Sequence, residues 1–128
     1  MGYTVVIREG VEADDVVASL ALLASRQGNQ AIMLSSDKDL FQVLHEDVVM
    51  LRPVKNGISG AELYDVKAFV KEFGFSPSSM PDYLALIGDT SDNIKGVKGI
   101  GKMEGQGTLS LEEGIDPLRI RCPRKLDE

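Results

Sequence analysis

A chain of 128 residues is the length of one ordinary domain. With 43% apolar residues, no Trp, three Tyr and four Phe, it implies a folded and largely aliphatic core. A single cysteine, Cys122, excludes an internal disulfide and fits an intracellular, reducing compartment. The absence of an 18-residue apolar run argues against a membrane span, and the amino-terminal stretch has neither the charge pattern of a secretory signal nor, with Val6 where Ser or Thr is wanted, that of a myristoylation start. The net charge of −6 argues at first against nucleic acid, but the acidity is local: setting aside seven acids in three clusters leaves 13 acidic against 14 basic residues.

Taken in order, Tyr3–Ile7 is a β-branched run and predicts a strand. Residues 13–27 predict a helix whose face carries Val16, Val17, Leu20, Leu23 and Ala24, stopped by Gly28. Ala31–Leu34 predicts a buried parallel strand, Ser35-Ser36-Asp37 opens a short helix to Leu44, and Val48–Leu51 predicts another strand. Residues 53–60, with Asn56-Gly57, read as a loop. Asp65 caps a helix carrying Val66, Phe69, Val70 and Phe73 and ended by Gly74, and Ser76-Pro77 opens another that Gly88 closes. From Lys102 onward the glycines, prolines and weak periodicity predict a loose or disordered tail. The expected organisation is therefore an α/β core over residues 1–61, a helical region over 62–102 and a divergent tail over 103–128.

Three acidic clusters punctuate these elements: Glu12, Asp14 and Asp15; Asp37 and Asp39; Asp89 and Asp92. Each alone has an ordinary explanation, since acids at helix starts complement the dipole and Asp residues after a helix make Asx turns. Together, at the ends of elements where side chains from separate segments converge, they predict an all-oxygen site for Mg²⁺ or Mn²⁺. Seven acids suit two ions, which stabilise the attacking and leaving oxygens of phosphodiester hydrolysis when roughly 3.5–4 Å apart. A calcium EF-hand does not fit, because the sixth and twelfth positions from Asp89 are Ile94 and Ile100; zinc does not fit one His45 and one cysteine. Beside Asp92, the stretch Gly96-Val97-Lys98-Gly99-Ile100-Gly101 predicts a turn that directs N–H groups at a phosphate, with Lys98 and Lys102 adding charge.

These motifs carry a resemblance. Gly10-Val11-Glu12-Ala13-Asp14-Asp15-Val16-Val17-Ala18, Ser36-Asp37-Lys38-Asp39-Leu40-Phe41-Gln42, Ala85-Leu86-Ile87-Gly88-Asp89-Thr90-Ser91-Asp92-Asn93 and Gly96 to Gly101 resemble, in that order, the 5′→3′ exonuclease domain of bacterial-type DNA polymerase I. That domain is similar to flap endonucleases among the PIN-like nucleases. The resemblance covers about residues 9–102. It implies a partial PIN-like parallel-sheet domain followed by a helix–three-turn–helix element, with Glu12, Asp14, Asp15, Asp37, Asp39, Asp89 and Asp92 as catalytic metal ligands. It further implies that Gly96, Lys98, Gly99, Gly101 and Lys102 contact DNA, that K⁺ binds at the glycine hairpin, and that the substrate is DNA with a 5′ end or 5′ flap. Family domains begin earlier, with a strand bearing another metal-binding Asp and a basic helical arch, and continue after the hairpin into a Lys-rich helix. The chain is thus expected to represent the middle of such a domain, with impaired activity on its own. The competing expectations are a non-catalytic DNA-binding or regulatory fragment and, last, a phosphohydrolase built on Asp37-Lys38-Asp39.

Overall fold

Helix α1 spans Ala13–Arg26, and the chain leaves it through Gly28 at φ 79°, a left-handed conformation that glycine adopts without strain. It leads into β1, Ala31–Leu34, which lies parallel to β2, Val48–Val54, with Ala31 opposite Val48 and Leu34 opposite Leu51. Between them Lys38–Val43 forms a 3₁₀ turn whose Leu40 and Phe41 are buried. Strand β3, Gly57–Tyr64, returns antiparallel along β2, giving the sheet order β1-β2-β3. This computed structural model describes residues 2–54 and 57–110, so the predicted tail beyond Ser110 lies outside the described residues.

The sheet is mixed, which corrects the parallel-sheet expectation at β3. Only two residues separate Val54 from Gly57, and so short a connection permits antiparallel pairing alone. The same hairpin replaces the loop expected over residues 53–60. Pro53 misled that reading: it lies beyond the reach of β1, at a register irregularity between Arg52 and Val54, where its missing N–H interrupts no central ladder. The strand expected at Tyr3–Ile7 is not formed. Tyr3, Val5, Val6 and Ile7 are exposed and belong to no strand among the described residues.

Helix α2, Val66–Phe73, is capped as its sequence dictates. Asp65 Oδ1 accepts from the Ala68 N–H at 2.8 Å, and Gly74 closes the helix at φ 81°. Its Phe69 and Phe73 stack at 4.6 Å and meet Phe41, Phe75 and Tyr83, while Phe41 stacks on Tyr64 at 4.9 Å. All four Phe and two of the three Tyr thus gather in one cluster. The core is aromatic at this end rather than aliphatic throughout, because few rings placed together cover as much area as many small side chains.

A 3₁₀ turn at Pro77–Ser79 leads into α3, Met80–Ile87. The next segment is not helical as expected: β4, Gly88–Asp89, and β5, Ile94–Lys95, form a two-stranded ribbon. The ribbon needs glycine on both sides, since a Cβ on Gly88 would stand 2.4 Å from the Gly96 nitrogen and one on Gly96 would stand 2.4 Å from the Ile87 oxygen. Lys102–Ser110 then forms α4, correcting the loose tail over these residues. Its two glycines oppose helix propensity. Gly105 nonetheless fits, because α4 crosses α3 so closely that a Cβ there would lie 2.8 Å from Ile87 Cγ2 and 3.2 Å from the Tyr83 ring.

Candidate functional site

The carboxyl end of β1 opens the site. Ser35 Oγ accepts from the Asp37 N–H at 3.0 Å, and Asp37 Oδ1 accepts from the Asp39 N–H at 3.0 Å, so Asp37 caps the 3₁₀ turn and holds Asp39 half-buried beside it. Asp14 comes from the first turn of α1, and Asp89 from the ribbon after α3. The Asp89 carboxylate accepts from the Ser91 N–H at 2.8 Å, an Asx turn that aims the Thr90–Asn93 bend.

The electrostatics show which acids feel one another's charge. The Asp39 pKa is raised, first by partial burial and then by the charges of Asp37, Asp92, Asp89 and Asp14. Asp14 is raised by desolvation first, then by the charge and hydrogen-bonding contact of Asp37, then by Asp15. Asp89 is lowered, chiefly by its hydrogen bonds with Ser91, with Lys38 contributing. Asp14, Asp37, Asp39, Asp89 and Asp92, from three segments far apart in sequence, therefore share one region. Asp15 is exposed and adds its charge to Asp14. Glu12 is the exposed N-cap residue of α1 and makes no side-chain capping bond. Among the described residues no three His, Cys, Asp or Glu side chains stand close enough to enclose a metal ion. The donor chemistry nevertheless suits a hard divalent cation: oxygens only, with mutual repulsion that raises two carboxyls and that a cation relieves.

Beside the acids opens a cleft of about 760 Å³, lined by Lys38, Lys95, Lys102, Asp89, Gly96 and Gly101. Lys38 and Lys95 were not among the residues singled out from the sequence. Lys38 had a signal, since it lies between two site acids; Lys95 had one in its position directly before the glycine turn. The turn itself is closed more tightly inward than expected. Val97 N–H donates to the Leu86 carbonyl at 2.8 Å, Ile100 N–H to the Val97 carbonyl at 3.1 Å, and Gly101 N–H to Glu104 Oε2 at 3.1 Å. Three of the N–H groups expected to face a phosphate thus have acceptors within the chain. Lys98 and Gly99 stay exposed at the apex, Gly99 at φ 87°, and Lys102 is exposed at the start of α4.

Residues 1–74 match the family profile described as the 5′-3′ exonuclease, N-terminal resolvase-like domain. The chain belongs to this family. Its relatives include the thermostable DNA polymerase I of Thermus thermophilus, 44% identical over 91% of this chain, and the DNA polymerase I of Mycobacterium bovis, 36% identical over 93%. A 5′-3′ exonuclease of Aquifex aeolicus is 41% identical over 72% of the chain. The chain spans 14% of each of these polymerases and 30% of the Aquifex protein. Among solved structures, a mutant bacteriophage T5 5′-exonuclease superposes with a TM-score of 0.64 and 26% identity over 77% of this chain and 38% of its own. A bacteriophage T5 flap endonuclease in a pseudo-enzyme–product complex with DNA and metal ions matches with a TM-score of 0.65 and 25% identity, over 77% of this chain and 35% of its own. A further structure of the T5 5′-exonuclease holds divalent zinc. The superposition on the T5 5′-exonuclease shows an α/β fold of that kind, here with a mixed sheet.

Proposed function

We propose that this chain contributes the acidic centre of a metal-dependent 5′→3′ exonuclease or 5′-flap endonuclease acting on DNA. The observation that carries the reading is the convergence of Asp14, Asp37, Asp39, Asp89 and Asp92 beside a lysine-lined cleft. Asp37, Asp39 and Asp89, with Asp14 and Asp92, would hold Mg²⁺ or Mn²⁺, with Glu12 and Asp15 exposed at the start of α1. Two such cations, when bound, supply a hydroxide nucleophile and stabilise the leaving oxygen of a phosphodiester. The chain's own groups do the positioning: Lys38, Lys95 and Lys102 attract the phosphate backbone, and the Ser91 N–H fixes the Asp89 carboxylate. In this reading α3, the ribbon, the glycine turn and α4 form the helix–three-turn–helix element, with Lys98 and Gly99 at its apex against DNA. Gly96 and Gly101 shape the turn, and K⁺ would lie at the hairpin.

A second reading, a non-catalytic DNA-binding fragment, is favoured by one observation: no three acids among the described residues close around a common point. Cleavage of a labelled 5′-flap duplex with Mg²⁺ or Mn²⁺ separates the two. Turnover lost in Asp89→Asn supports the nuclease. DNA binding without turnover in the presence of either metal supports the fragment.

A further inference from the structure

A second cavity, of about 370 Å³, opens off the acidic cleft on the side of the aromatic cluster. The two share Lys38, Leu84, Ile87 and Lys102 as a common wall. The second cavity adds a cation of its own, Arg52, and apolar walls from Phe73 and Tyr83. Arg52 is set in place from β2. Its guanidinium lies 4.8 Å above the Tyr64 ring and 5.6 Å above that of Phe41, and its Nη1 is 3.9 Å from Glu72 Oε2. Glu72 is in turn fixed by the Tyr64 hydroxyl, which donates to it. A guanidinium carries five N–H donors, more than one carboxylate can engage, and a ring-stacked Arg is oriented in advance for a second anion.

We propose that this cavity is a mononucleotide subsite, taking the terminal or unpaired nucleotide of the strand whose backbone crosses the acidic cleft. Its volume lies at the small end of the range for small-molecule pockets, too small for a duplex. Lys38, Arg52 and Lys102 supply charge for a phosphate, and Phe73 and Tyr83 an apolar wall for a base. The shared wall lets one strand enter both cavities. The inference takes its ligand class from the nuclease reading, but it is tested without metal or turnover.

The experiment is titration of the full chain with a nucleoside 5′-monophosphate, followed by NMR, against inorganic phosphate and the uncharged nucleoside. The expected result is millimolar or tighter binding of the monophosphate, about tenfold better than either half alone. Shifts should map to Arg52, Phe73 and Tyr83. Arg52→Gln should weaken binding about tenfold. Because Arg52 also packs on Tyr64, the exposed Lys38→Gln serves as the second variant and should weaken binding several-fold with the spectrum otherwise unchanged. Equal binding of all three ligands, shifts confined to the glycine turn, or unchanged affinity in both variants would overturn the subsite. Monophosphate binding in a chain that cuts no flap would leave the subsite standing and remove the nuclease reading; flap cleavage without monophosphate binding would do the reverse.

Discussion

At the scale of single residues, function and stability oppose one another in the carboxylates. The folded-state pKa of Asp39 lies above its ordinary 3.8 because burial and four other acids disfavour its charge. Protonation therefore favours the fold: the contribution is fully present below the unfolded pKa and is lost as pH rises through the folded one. Asp39→Asn, measured by thermal melting without divalent metal, should raise the melting temperature at pH 7. The gain should fade as pH falls through the raised folded pKa of Asp39 and be absent below about 4; a destabilised variant at pH 7 would show that Asp39 is held by partners rather than repelled. Glu104 is a second such residue. It sits at the third position of α4 and accepts from the Gly101 N–H, the reciprocal half of a capping box. Its charge stands where the turn was expected to face a phosphate. Glu104→Gln keeps a capping side chain and removes the charge, so duplex DNA should bind a few-fold more tightly at low salt in fluorescence anisotropy. Unchanged or weaker binding would mean that the backbone does not pass this corner.

Elements show where local chemistry decided the fold and where neighbours did. Helix α2 was legible almost to the residue, because Asp65, its apolar spacing and Gly74 each act within a turn of one another. Asp37 and Asp39 after β1 were legible for the same reason. The β3 hairpin was not, since Pro53 and Asn56-Gly57 signal a turn without showing how far pairing continues on either side. Tyr3–Ile7 has strand propensity but no partner strand among the described residues, and propensity does not form a strand unpaired. How the acids approach one another was not legible either: the list of seven came from motifs, whereas the exposure of Glu12 and Asp15 follows from their place at the entry of α1. Helix α4 was missed because its glycines read as breakers. The two differ sharply. Gly105→Ala would press a methyl against Ile87 and Tyr83 and should cost roughly 1–3 kcal/mol as overpacking. Gly107→Ala meets nothing within 4 Å and should stabilise by about 0.5–1 kcal/mol. Denaturant titration of both variants checks the pair; similar effects would mean that α4 does not pack on α3.

At the scale of the whole molecule, the described residues leave an apolar seam uncovered. In β1, Met33 is buried while Ile32 and Leu34 are 60% and 56% exposed, and Val17, Leu20 and Leu23 of α1 are exposed as well. Among the described residues β1 is an edge of the sheet, so its outer backbone groups can pair with another chain. Self-association should therefore rise with concentration, and Ile32→Lys should suppress it in sedimentation without altering the circular dichroism spectrum. Association unchanged by that substitution would place the contact elsewhere.

Metal should act on the same whole-molecule balance at the carboxyl end of β1. The converging acids repel one another in the folded chain and are far apart when it unfolds, so a cation held by all of them binds the folded state preferentially. Such binding stabilises by about 2.7 kcal/mol when the free ion is about 100-fold above its dissociation constant. For a chain of this size that corresponds to a rise of roughly 5–20 °C in melting temperature. Mn²⁺ or Mg²⁺ should produce the rise, and sodium at matched ionic strength should not, because screening relieves long-range repulsion without occupying the space between the carboxylates. Asp37→Asn combined with Asp89→Asn removes one charge from each of two segments and should abolish most of the shift while leaving α2 and its aromatic cluster folded. A melting temperature indifferent to millimolar Mn²⁺, or a shift that survives the double substitution, would show that the five acids approach one another without forming a metal centre.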